Sequence, residues 1–298
     1  MNRDVLRHRW AVLAVFALLS FSAMAVPPPI KEFVSPASIE EGSFEISPTG
    51  EFYAFVIPGQ DSNTLAVMNR TSNKVAAALA LNSNQYVDQY WWVDDNRIVI
   101  SIAEKRGGYD TPFATGELFA LDARSGSNLY LFGYRGGGGG GTGTHIKRSL
   151  ATNASATVLE SRADEAGTIL IGISHWNGTA EGGKMELARL NVKTAMLTKS
   201  GGTLPLRYVD NVLVDADGNL RAVAGAAVTA DKSDTSNQLW WRAGKSGEWR
   251  MLIDEKRDGK LVWPLWRMQQ SDAFYVEVAE ARRPNYLAKL DPVSGQLT

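Results

Sequence analysis

Arg106, in the run Glu104-Lys105-Arg106 ahead of Gly107-Gly108-Tyr109, offers a guanidinium suited to pairing with a carboxylate or a peptide terminus. A solvated loop is the plainer reading of the same charges. Trp176, on another long loop, adds an aromatic surface, and Arg106, Tyr109 and Trp176 are the candidate contact residues for a substrate or partner. The pairs Trp91-Trp92 and Trp240-Trp241 place one ring on each side of a strand, where packing between neighbouring sheets accounts for them better than a stacking platform does.

Other motifs fail when their chemistry is spelled out. Asp215-x-Asp217-x-Asn219 has the alternating oxygens that open a calcium loop, yet Leu220 stands where glycine is needed and Ala226 where the closing glutamate belongs. A hairpin turn explains those aspartates without a metal. The run Gly136 to Gly141, followed by Gly143, lacks the lysine and serine or threonine of a phosphate-binding loop and reads as a flexible connection. With His8, His145 and His175 as the only histidines, and no cysteine, neither a metal cluster nor a disulfide can be assembled. No cofactor is expected. No G-x-S-x-G occurs, so a serine triad cannot be built from these residues, and no catalytic residue is assigned.

The elements that must position the candidates repeat along the chain. Turns at Ser47-Pro48-Thr49-Gly50, Asp94-Asp95-Asn96, Asp164-Glu165-Ala166-Gly167, Asp215-Ala216-Asp217-Gly218 and Gln269-Gln270-Ser271-Asp272 each precede an apolar or alternating run. Their spacing of about fifty residues predicts an all-β chain, an incomplete β-propeller of about five four-stranded antiparallel blades. The expected blades cover 44–80, 86–132, 157–199, 208–253 and 262–298, the last stopping inside its final strand. No sustained helical period lies outside the first thirty residues.

Antiparallel pairing puts the first-to-second and third-to-fourth turns of every blade on one face and the remaining connections on the other. The short turns then share one face. The long segments 104–116, 133–146, 175–184 and 227–237 share the opposite one, which is the expected contact face.

Lysine and arginine number 31 against 32 acidic residues, are scattered, and leave a net charge of −1, which argues against nucleic acid as a partner. Arg3, Arg7 and Arg9 precede the apolar run 11–21, and Ala23-Met24-Ala25 supplies small residues, the pattern of a signal peptide (1–25) cleaved after Ala25. The apolar stretch is shorter than the ~20 residues of a spanning helix, so no membrane contact is expected after cleavage. Residues 26–43, opened by Pro27-Pro28-Pro29, form an extended lead-in, and the absence of cysteine suits a bacterial periplasmic or secreted protein.

The segments Phe44-Glu-Ile-Ser47-Pro48-Thr-Gly50-Glu-Phe-Tyr-Ala-Phe55-Val56, Trp92-Val93-Asp94-Asp95-Asn96-Arg97-Ile98 and Val214-Asp215-Ala-Asp217-Gly218 resemble the N-terminal propeller of exported prolyl oligopeptidase-family serine peptidases, of the acylaminoacyl-peptidase or dipeptidyl-peptidase type. Such segments also occur in TolB-type propellers. The resemblance implies a propeller that gates peptides towards a C-terminal α/β-hydrolase domain, which this sequence does not contain. The expectation is therefore a non-catalytic, truncated portion of such a peptidase, with a peptide substrate or a hydrolase domain as partner. The alternative is a free-standing TolB-like propeller that binds a protein.

Overall fold

A computed structural model of the chain describes residues 39–107, 111–135, 152–162, 167–176, 185–206, 208–215, 218–228, 234–245, 247–268 and 271–298. Five antiparallel sheets follow one another in sequence order. The first holds β1 (Glu45–Ile46), β2 (Phe52–Pro58), β3 (Asn63–Asn69) and β4 (Lys74–Ala80); the second holds β5 (Gln85–Trp92), β6 (Arg97–Glu104), β7 (Phe113–Asp122) and β8 (Asn128–Phe132). The third is β9 (Ala154–Glu160), β10 (Thr168–His175), β11 (Glu186–Asn191) and β12 (Leu197–Thr203). The fourth is β13 (Tyr208–Val214), β14 (Leu220–Val228), β15 (Thr235–Trp241) and β16 (Arg250–Asp254). The fifth has three strands, β17 (Lys260–Arg267), β18 (Phe274–Glu280) and β19 (Tyr286–Leu290), with a single bridge from Leu290 to Leu297 beside them. This is an all-β open propeller, and we call its sheets blades 1 to 5.

Side chains alternate across a strand, so a blade packed on both sides buries both sets. In β6, Ile98, Ile100 and Ile102 join a cluster with Phe52, Val56 and Leu65 of blade 1, whereas Val99 turns towards Ile169 and Ile171 of blade 3. Leu170, Leu187 and Leu204 meet Leu220 and Val223 between blades 3 and 4. Leu213, Ala224 and Leu239 meet Val262, Phe274 and Val276 between blades 4 and 5. The core is thus four separate inter-blade clusters. Both tryptophan pairs obey the same alternation: Trp92 packs towards blade 1, 6.3 Å from Phe52, and Trp91 towards blade 3. Trp241 sits between blades 4 and 5, and Trp240 packs towards blade 3.

One helix of four residues, α1 (Glu255–Asp258), interrupts the strands between β16 and β17. Asp254 caps it by accepting from the backbone amides of Lys256 and Arg257, and Gly259 at φ 67° ends it.

The strand limits differ from the sequence reading at two long loops. β7 starts at Phe113 rather than Glu117, because Ala103 and Glu104 pair with Ala114 and Phe113 across a bulge that leaves out Thr115 and Gly116. β15 starts at Thr235, and its hairpin with β14 closes to residues 229–234. Both connections are therefore shorter than expected.

Candidate functional site

The face with the short turns is held by arginines that reach across blade boundaries. Arg124, after β7, makes a bidentate pair with Glu51 in the first turn of blade 1, with one N–H donating over 2.8 Å. Arg189 of blade 3 donates to the Gly218 carbonyl of blade 4 (3.1 Å). Arg221 of blade 4 donates to Asp272 of blade 5 (2.7 Å) and lies 3.7 Å from Asp215. Arg250 of blade 4 donates to the Pro292 and Val293 carbonyls of blade 5. These guanidiniums are committed to structure.

On the opposite face the same residue types are arranged around Glu117, which is 1% exposed. The bulge puts it there: Gly116 adopts φ +73°, and a Cβ at that position would lie 2.5 Å from the Ser155 Cα, so glycine is required where β7 crosses β9. The Thr115 hydroxyl donates to the Ile102 carbonyl (2.9 Å) and accepts from the Glu117 amide (3.2 Å). The Tyr130 hydroxyl donates to Glu117 Oε1 (2.8 Å) and accepts from the Arg135 amide (3.2 Å). Burial, and then the hydrogen bond to Glu117, push the Tyr130 hydroxyl far above its ordinary range, so it remains a donor.

Arg135 lies 3.4 Å from Glu117 and also pairs with Glu104. Its Nε donates to the Tyr134 hydroxyl (2.9 Å). Burial opposes its charge, but Tyr134 and the two carboxylates outweigh that and raise its pKa. Gly133 makes the crossing possible, since a Cβ there would fall 2.4 Å from the Tyr130 hydroxyl and 2.6 Å from Glu117 Cγ. The network fastens the start of the connection from blade 2 to blade 3.

On this foundation stand the expected contact residues. Tyr134 meets Trp176 at 5.1 Å between ring centroids, and Trp176 is 51% exposed. The Arg106 guanidinium lies over the Phe113 ring at 4.6 Å, is 63% exposed, and comes no nearer than 3.9 Å to Glu104, which Arg135 already occupies. Arg106 and Trp176 thus stand at the two ends of a network that runs through Glu104, Arg135 and Tyr134. Tyr109 lies outside the described residues, as do Gly136 to Gly141, Gly143, His145 and Asp217.

Beside this patch a cavity of about 370 Å³ opens between blades 1 and 2, lined among others by Glu40, Asn63, Tyr86, Asp88, Lys105 and Pro112. Buried Asn63 holds the two blades there: its carbonyl oxygen accepts from the Val87 amide (2.6 Å) and its amide donates to Glu40 (3.2 Å). Lys105 lies over the Tyr86 ring at 5.3 Å. Two carboxylates, Glu40 and Asp88, thus share the cavity with one ammonium, Lys105, and one ring, Tyr86.

A third group on this face is Glu186, which accepts from Lys199 (2.8 Å) and lies 3.1 Å from His175 Nε2. The Lys199 hydrogen bond holds its carboxyl below the ordinary range. Among the described residues, no group of three or more His, Asp or Glu side chains is placed to hold a metal ion. Nor is any helix there long and apolar enough to cross a membrane.

Sequence reasoning missed Asn63, Glu117, Tyr134 and Arg135. For Glu117 a signal existed: a lone carboxylate directly after glycine and directly before the apolar run Leu118 to Leu121. Nothing in the sequence pairs it with Arg135.

The fold and this patch define an open β-propeller with a charged, aromatic loop face. No family model matches the chain, and no curated protein matches it. Solved propellers do. The β-propeller domain of the trilobed protease from Pyrococcus furiosus, for which an open velcro topology is described, aligns with TM-score 0.46 and 11% identity over 86% of this chain and 67% of that one. Oligopeptidase B from Leishmania major aligns at 0.45 and 12% over 91% of this chain and 42% of that one. TolB from Acinetobacter baumannii aligns at 0.35 and 11%, over 80% and 51%. The chain thus spans about half or less of the length of the last two proteins.

Proposed function

We propose that this chain is a non-catalytic docking propeller whose long-loop face receives peptide, or a hydrolase domain that cleaves peptide, in the manner of the gate of a prolyl oligopeptidase-like serine peptidase. It acts in the periplasm or outside the cell, after export through a signal peptide cleaved behind Ala25. The observation that supports this reading is the exposed pair Arg106 and Trp176, which stand at the two ends of the Glu104 and Arg135 network. A guanidinium supplies a carboxylate contact, and the Trp176 and Tyr134 rings supply apolar area at low entropic cost.

The chemistry left to such a chain is binding. A peptidase assay on it gives no hydrolysis above buffer, and activity that survives removal of contaminants contradicts the reading. Titration with short peptides, followed by tryptophan fluorescence, gives saturable binding that weakens on C-terminal amidation.

A second reading, a free-standing TolB-like propeller that binds a folded protein, draws on Trp176, which is 51% exposed and does not line the cavity. Peptides that fail to bind, together with an envelope protein whose capture depends on Trp176, would favour it.

A further inference from the structure

Between blades 4 and 5 a cleft of about 500 Å³ opens that shares no residue with the long-loop patch. It lies between the hairpin from β15 to β16 and the turn after β19, and Trp241, Glu248, Trp249, Arg250 and Val293 line it. Small-molecule sites have volumes of about 300 to 1,000 Å³ and combine aromatic surface with a few polar groups.

The hairpin builds one wall. A Cβ at Gly247 would fall 2.1 Å from the Ala243 carbonyl oxygen, so glycine lets the chain turn back close to β15 and brings Glu248 and Trp249 beside the end of that strand. The Arg242 guanidinium lies over the Trp249 ring at 4.8 Å, and that of Arg250 over the Trp241 ring at 5.6 Å. Arg250 also donates to the Pro292 and Val293 carbonyls and so fixes the opposite wall, where Val293 is 66% exposed. Beyond that turn Leu297 and Thr298 pair with Leu290 and Lys289, so the chain runs back along β19 and away from the cleft. Both walls thus belong to sides of blades 4 and 5 that face each other.

Glu248 is exposed and pairs with no cation among the described residues, although Arg250 lines the same cleft. An anion entering there loses at Glu248 what it gains at Arg250, and a cation does the reverse. A purely apolar ligand strips water from both charges. A neutral polyol avoids these costs: its hydroxyls donate to the carboxylate, and its C–H face lies on an indole. We propose that this cleft binds a neutral carbohydrate, with Glu248 as the hydroxyl acceptor and Trp249 as the stacking surface. Trp249 takes that part because it is half-buried, whereas Trp241 is only 8% exposed. Arg250 keeps its structural role and holds the two walls apart. The site is independent of the peptide reading.

Calorimetric titration of the full chain with three neutral trisaccharides, maltotriose, cellotriose and tri-N-acetylchitotriose, tests this. At least one is expected to bind with Kd below about 10 mM. Glu248→Ala, at an exposed and unpaired position, weakens that binding at least ~10-fold and leaves the melting temperature unchanged. Trp249→Phe, which keeps a ring in the packing, weakens it to a smaller extent. Arg106→Ala leaves sugar binding as in wild type, and Glu248→Ala leaves peptide binding as in wild type, so the two sites fail separately. Absence of binding by all three sugars overturns the proposal, and so does sugar binding that survives Glu248→Ala. Tighter binding at this site of the dipeptide Ala-Leu, or of a glucuronate oligomer, overturns it as well.

Discussion

The two faces of the propeller use arginine for opposite purposes. On the short-turn face Arg124, Arg189, Arg221 and Arg250 each reach a neighbouring blade, and their N–H groups are spent on carbonyls or carboxylates of adjacent turns. On the long-loop face one arginine, Arg135, is spent in the same way, and it leaves Arg106 over Phe113 with its guanidinium towards solvent. Residue type alone does not separate a staple from a binding group. What separates them is whether a backbone turn or carboxylate of the next blade lies within reach.

The largest effect that sharpens this contrast is expected at Gly116. Gly116→Ala forces a side chain into a left-handed backbone and against Ser155, and should cost about 3 kcal/mol in urea unfolding. A loss within experimental error would break the claim that the bulge is what carries the long-loop face. Arg221→Ala comes next, at about 2 kcal/mol, since Asp215 and the Arg242 carbonyl lose a partner in a half-buried site. Peptide binding should be unchanged in that variant if the short-turn face is structural.

Smaller is the cap of α1. Asp254 accepts from Gln238 (2.7 Å), Ser236 (2.9 Å) and two helix amides. Burial opposes its charge, but these donors outweigh it and lower its pKa. A carboxyl lowered on folding contributes stability above its unfolded pKa, and that contribution is lost as pH falls through the folded value. Melting temperature should therefore drop below about pH 4, with Glu186 adding to the fall. Asp254→Asn keeps a capping oxygen but loses the charged acceptor for Gln238, costing about 1 kcal/mol at neutral pH, and should make the drop shallower. Equal acid sensitivity in the variant would remove Asp254 from the account. The smallest effect belongs to the exposed Arg124 and Glu51 pair, where Arg124→Ala should cost about 0.5 kcal/mol and less in high salt.

The blades were legible because their signals are local: Gly, Pro, Asp and Asn punctuate short runs whose alternation places Trp91 and Trp92 on opposite sides. Arg106 and Trp176 were legible as members of long loops. What brings them together was not. Glu104 and Arg135 are distant in sequence, and the chain leads into Arg135 through the close approach of Gly133 to Tyr130 and Glu117. The length of the loop between β6 and β7 was overstated because strand pairing resumes beyond a bulge that alternation does not reveal, whereas β14 and β15 simply pair further without one.

The central claim is that the long-loop face binds and the short-turn face holds the ring. Fluorescence titration of one short peptide with a free carboxylate, against wild type, Arg106→Ala, Trp176→Ala and Arg124→Ala, tests it directly. The account predicts that the first two variants weaken binding at least ~10-fold, about 1.4 kcal/mol, with stability unchanged, while Arg124→Ala binds as wild type does. Binding that survives both loop-face substitutions and falls with Arg124→Ala would contradict it.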